Sequence, residues 1–212
     1  PFNDPETCDW FRYFQVGISA TTGNEQEAIS PSSLRTPATV RWFGYNSTVR
    51  ADGNRNRLSP EISYFAGPVG FAAQYLLEEQ EMRPSATSNI QVDVPTEGFY
   101  CMATYLLTGE DRTSYSQAIE PLVAFDPHCP LVAPGALELV GRVSRLRISE
   151  EVFEPGAVRL ADPTKFSSGA TEMTLGMNWY LNRWVRAHTF FRRNSYQHIR
   201  FQQNVFLGAD KF

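Results

Sequence analysis

Apolar and polar residues alternate one for one through short segments of this chain, and no apolar run approaches the length of a membrane-spanning helix. Between Gly169 and Asn182, Met173, Leu175, Met177, Trp179 and Leu181 alternate with Glu172, Thr174, Gly176, Asn178 and Tyr180. Successive side chains of a strand point to opposite faces, so a period of two predicts a strand with one apolar and one polar face. Beyond a tight turn at Asn182 and Arg183, Val185, Ala187, Thr189 and Phe191 oppose Arg186, His188 and Arg192. The same pattern sets Leu137, Leu139, Gly141 and Val143 against Glu138, Arg142 and Ser144, and Phe71, Ala73, Tyr75 and Leu77 against Gln74, Glu78 and Gln80. Further segments span 11–22, 39–49, 57–67 and 98–109, the first opposing Phe14, Val16 and Ile18 to Tyr13, Gln15 and Ser19. Gly, Pro, Asn and Asp clusters separate them, so about eight strands of an all-β, antiparallel chain are expected.

The longest apolar runs, at 71–77 and 137–140, fall far short of the roughly 18 to 20 residues that a spanning helix needs. A barrel strand needs only about 9 to 11 and hides its apolarity by alternation. Aromatic residues make up 13% of the chain, enough to supply the girdles that barrels carry at both membrane interfaces. A soluble β-sandwich alternates too, because each of its sheets buries one face. Loop lengths favour the barrel. The links at 66–70 and 181–184 are short and those at 82–91 and 149–168 are long, the asymmetry of short periplasmic turns and long extracellular loops. The opening PFNDPETCDW has neither the basic nor the apolar stretch of a secretion signal, as expected of a processed or truncated start.

Several function classes fall away. A net charge of −4 gives no basic surface for nucleic acid. Cys8, Cys101 and Cys129 are odd in number and far apart, which writes neither a disulfide framework nor a metal-binding pair. Asp126, His128 and Cys129 lie together in AFDPHCP, but catalytic groups are assembled from separated positions and a metal site needs a second cluster of ligands. A loop turning through Pro127 and Pro130 is the simpler reading, so the chain is expected to be no enzyme and to carry no cofactor or metal. Glu110, Asp111, Glu150 and Glu151 open long connectors and could bind a divalent cation or bridge to lipopolysaccharide through one, although acidic loop residues are usually just solvated.

On a barrel the polar alternates face the lumen. That face is expected to carry Arg41, Arg142, Arg186 and Arg192 against Glu61, Glu78, Glu138 and Glu172. The two signs cancel, so weak ion discrimination follows unless they are segregated in space. Strict up-and-down order also places 108–135 on the side of the tight turns, although it is too long for a turn. Either it folds back into the lumen as a constriction, with Arg112 near the water path, or a strand is miscounted between Phe99 and Gly135. The same alternative applies to 23–38.

Three stretches carry a family likeness: RWFGYNSTVRADGNRNRLSPEISYFAGPVGFAAQYLLEEQEM at 41–82, MATYLLTGEDRT at 102–113, and TEMTLGMNWYLNRWVRAHTFF at 171–191. On these the chain, from about Phe11 to about Tyr196, resembles the phosphate-selective porin O and P family. In that family a strand with a LNWYLN-like ending turns through Asn and a basic residue into the penultimate strand. The resemblance implies a trimeric, sixteen-stranded barrel in the outer membrane of a Gram-negative-type bacterium, embedded in outer-membrane lipid, with loops folded into a pore that passes small anions. It places the family's phosphate-binding residues in an N-terminal half that this chain lacks, so residues 1–212 are expected to form a single β-barrel domain as a fragment. HIRFQQNVFLGADKF, at 198–212, does not alternate and is expected to be a loop rather than the closing strand. The expected structure is an open or half-closed sheet of about eight to nine strands, edged by 11–22 and 183–197. The expected function is passive diffusion of small solutes, with anions such as phosphate implied by the resemblance. The alternative is a non-transporting structural or surface β-barrel or β-sandwich.

Overall fold

The computed structural model describes residues 12–197. Nine strands form among them: β1 (Tyr13–Glu25), β2 (Ser33–Arg35), β3 (Arg41–Gly44), β4 (Arg50–Ala66), β5 (Val69–Arg83), β6 (Val92–Leu106), β7 (Ala136–Ile148), β8 (Gly169–Tyr180) and β9 (Arg186–Gln197). Seven make one antiparallel sheet in the order β1-β4-β5-β6-β7-β8-β9, and β2 and β3 pair separately as a small ribbon. The sheet is open, and its edges are the two segments predicted from the alternation. Each wall strand pairs with the wall strand before it in the chain, the arrangement of an up-and-down barrel wall.

The register fixes which residues share a face. Leu175 stands opposite Phe191 on β9 and Gly141 on β7, and Met173 opposite Val143, which stands opposite Cys101. On this face Val16, Ile18, Leu77, Leu139, Met173, Leu175 and Phe191 are all exposed. Leu175 is 66% exposed and Thr174, its neighbour in sequence, only 7%. An exposed apolar face opposite a partly covered polar one inverts the pattern of a soluble sandwich and is that of a strand with lipid outside and water within.

Residues 39–49 are not a wall strand. β1 pairs directly with β4, and β2 and β3 belong to the long loop between them. The segment fails as a wall because Trp42, Phe43 and Gly44 are buried in succession, whereas a lipid-facing strand needs every second side chain on the water side. Arg41 therefore lies off the wall. Its guanidinium sits 4.9 Å from the centre of the Phe166 ring.

The long loops 26–49 and 149–168 fold together over one end of the sheet. Asn46 donates its backbone N–H to Leu160 and Ser167 to Trp42, and Tyr45 and Ala161 form a bridge. Trp42, Phe43, Val152, Phe153 and Leu160 pack there on Met82, Val94 and Ile148, from the strand ends beneath. Phe43 meets Tyr45 and Phe153 edge to face, with ring centres 4.8 and 6.0 Å apart. Burial, and then the charge of Glu78 nearby, raise the Tyr45 phenol well above its ordinary pKa.

Two tight turns mark the opposite end. Gly67 takes φ 53° between β4 and β5, a conformation that costs glycine nothing. The Asn182 side chain accepts from the N–H groups of Trp184 and Val185 between β8 and β9, and so closes the turn the sequence marked. Residues 107–135 emerge at this same end and fold back over the sheet. This decides the alternative left by the sequence, since no strand is missing between Phe99 and Gly135. The stretch 198–212, expected to be a loop, lies outside the described residues.

Candidate functional site

Four rows of side chains run across the sheet on its hollow side. The register aligns Met102, Arg142, Thr174 and Arg192, then Thr104, Val140, Gly176 and Phe190, then Leu106, Glu138, Asn178 and His188, and finally Ala136, Tyr180 and Arg186. They bound a hollow of about 810 Å³. Glu61, Glu78 and Glu172 share this face by the same register, so seven of the eight charged residues predicted for it lie there and Arg41 does not.

The two halves of the face differ in charge. On β1, β4 and β5, Arg55 bridges Glu25 at 2.8 Å and Glu78 at 3.2 Å, Arg57 also pairs with Glu78, and Gln80 donates to Glu25. Both arginines there are neutralised by carboxylates. On β7, β8 and β9, Arg142, Arg186 and Arg192 take part in no ion pair among the described residues. Each guanidinium instead stands near a ring, Arg142 at 5.0 Å from Tyr100, Arg186 at 5.7 Å from Tyr180 and Arg192 at 5.9 Å from Phe190. Glu172 is the nearest carboxylate in the register to Arg142 and Arg192 and accepts from Thr174. With Glu138 paired to Arg112 and only Glu172 beside the three arginines, the β7, β8 and β9 side keeps an excess of positive charge.

Arg112 and Glu138 form a buried pair where the connector 107–135 meets this wall. Arg112 Nη2 lies 2.7 Å from Glu138 Oε1, with the side chains 4% and 1% exposed. Asn178 and the Tyr180 hydroxyl donate to the other carboxylate oxygen at 2.8 and 2.7 Å. The Arg112 backbone N–H donates to Gly67, and its guanidinium stacks 5.1 Å from the Tyr115 ring. A buried carboxylate needs such partners, because an unmatched oxygen carries the cost of its lost water; Glu138 Oε1 accepts no hydrogen bond and depends on the charge of Arg112. Farther along, Tyr115 meets Phe65 at 4.9 Å, Ile119 packs with Leu106, Ala136 and Tyr180, and Phe125 meets Trp179 at 4.8 Å. Burial raises the Tyr115 phenol, opposed by the nearby Thr104 hydroxyl and by the charge of Arg112.

Sequence reasoning passed over four participants. Glu25 and Arg55 were missed because β1 runs beyond Thr22 and β4 begins at Arg50, and Arg57 was missed although it opens the expected strand 57–67. The fourth, Phe190, did carry a signal, since adjacent Phe190 and Phe191 cannot both face outward. Asp126, His128 and Cys129 do not converge as a catalytic or metal group: Asp126 caps the loop by accepting from the His128 N–H, and no group that could hold a metal forms among the described residues.

Comparison with known proteins bears on this arrangement. The family model for phosphate-selective porin O and P matches residues 12–204, nearly the whole chain. The chain belongs to that family. Among curated proteins no match was found. Membership of phosphate-selective porin O and P makes this a chain of an outer-membrane porin family, a family of channels rather than enzymes. It also accounts for the open sheet, the wall of a barrel that is not closed within the described residues.

Proposed function

We propose that this porin works as a passive, water-filled channel in the outer membrane, lets small solutes through without a cofactor, and favours anions along the wall formed by β7, β8 and β9. The observation that carries the anion preference is the distribution of charge, with Arg142, Arg186 and Arg192 in no ion pair among the described residues beside a hollow while Arg55 and Arg57 are neutralised elsewhere. Fixed charge of one sign lining a pore raises the local concentration of counter-ions and discriminates by sign. The connector narrows the path at the end bearing the tight turns. Arg112, anchored to Glu138, holds it in place rather than meeting the permeating ion.

The reversal potential of the full-length protein in a planar bilayer under a potassium chloride gradient tests this reading. Anion preference is expected, and Arg142→Gln with Arg192→Gln should reduce it. Replacing residues 116–129 by a short flexible link, with Arg112 kept, should raise single-channel conductance. A cation-preferring pore would overturn the anion preference, a non-conducting protein would overturn the channel in favour of a structural barrel, and unchanged conductance in the shortened variant would place the connector outside the path.

A further inference from the structure

Phe190 occupies a position that a water-filled wall does not call for. It is 37% exposed on the hollow side, and its ring lies over Gly176, where an added Cβ would come within 2.0 Å of the ring edge. The bare backbone of Gly176 thus seats one face of the ring, while His188 stands 5.4 Å from it and Arg192 5.9 Å. Val140 continues the row on β7, directly across Gly176. The next row carries Arg142 and Arg192, separated by Thr174 on β8, which puts their backbones roughly 10 Å apart at two strand spacings. Arg142 stands against the Tyr100 ring.

Each guanidinium of this row therefore has a ring beside it and no ion-paired carboxylate among the described residues, with Glu172 one row away on β8. Inorganic phosphate, hydrated on every side, gains from the guanidinium forks and nothing from the rings or from Val140. An ion with a carboxylate at one end and a planar apolar body at the other uses both, its carboxylate in a bidentate fork and its body on the ring. We infer that the Arg142, Arg192 and Phe190 surface is a subsite for small aromatic carboxylates on the permeation path. The inference rests on the anion-channel reading and narrows its substrate class.

Benzoate and acetate, which share a carboxylate and differ in the ring, are the probes. In single-channel recordings of the full-length protein in chloride, benzoate should reduce the current at a concentration about three- to five-fold below that of acetate, the range expected for one exposed ring contact. Phe190→Leu, which still covers Gly176, should remove the difference. Arg192→Gln should weaken both ions. Equal potency of benzoate and acetate in the unmodified, anion-preferring channel would overturn the subsite and leave the channel reading intact, a result that needs no variant to fold. A cation-preferring pore, or none, would overturn the anion-channel reading and the subsite with it.

Discussion

At the end of the sheet bearing the long loops, Phe43, Phe153 and Leu160 meet as a dry cluster, each 0–1% exposed. At the end bearing the tight turns, the connector packs on a smaller apolar cluster around Ile119 and is further fixed by the Arg112–Glu138 pair with the hydroxyl and amide beside it. Both ends fold chain back over the hollow, and they do so by different physics. Apolar burial is non-directional and grows with area, so two loops can meet by many packings of similar energy. A buried ion pair is directional, and half of it is worse than none. Greater positional precision therefore belongs to the connector, which borders the arginine-lined wall, and greater tolerance to the loops.

Removing one member of the buried pair should have the largest effect. Arg112→Ala strands Glu138 without a counter-charge and is expected to cost about 3–5 kcal/mol, measured by urea unfolding of the refolded full-length protein in detergent. Arg112→Met combined with Glu138→Leu should recover most of that loss. A double variant no better than the single one would show that the pair's charge is not what fixes the connector.

A cavity at the other end should cost less and stay local. Leu160→Ala is expected to lose about 2–3 kcal/mol, near the low end for a buried leucine because loops can close around the void. Hydrogen exchange should quicken across 149–168 while the amides of β5 and β6 keep their protection. Loss of protection along the wall would instead tie the loop cluster to the whole sheet.

The smallest effect is that of pH on the same loop. Asp162 is lowered from 3.8 to about 2 by hydrogen bonds from the Thr164 hydroxyl and backbone N–H and by Lys165 at 3.2 Å. A depressed folded-state pKa contributes stability above the unfolded value that is lost as pH falls through the folded one. The turn at 162–165 should therefore loosen between about pH 4 and pH 2, while the connector is unchanged. An Asp162 carboxyl titrating at its ordinary value, followed by NMR, would remove this contribution.

Much of the wall was legible because it is local. Met173, Leu175 and Met177 face outward and Thr174 and Asn178 inward as their alternation requires, since a strand's geometry leaves no other choice. The error at 39–49 has the same origin. Alternation says which residues share a face but not which strand lies alongside, and Trp42 and Phe43 found a ribbon and a loop to bury them. Charge could not be read by counting. Arg55 and Arg57 are neutral in effect because Glu78 and Glu25 lie across the strands from them, and Arg142 and Arg192 are not because Thr174 stands between. Arg112 and Glu138 sit on opposite ends of the connector, and no period in the chain announces their meeting.

The neighbour-to-neighbour order of the wall also governs how its parts must find one another. β4 and β5 are joined only by Gly67 and Pro68, so these strands, with Arg57 and Glu78, close with almost no chain to arrange. β6 and β7 must bring together the two ends of 107–135. The entropy of such closure rises only slowly, by about 0.6 kcal/mol for each doubling of the loop. A long inward-folded connector is thus a cheap insertion between strands that would pair in any case. A wall built this way can change what fills its mouth, by lengthening or shortening one link, without renegotiating any strand pairing on either side.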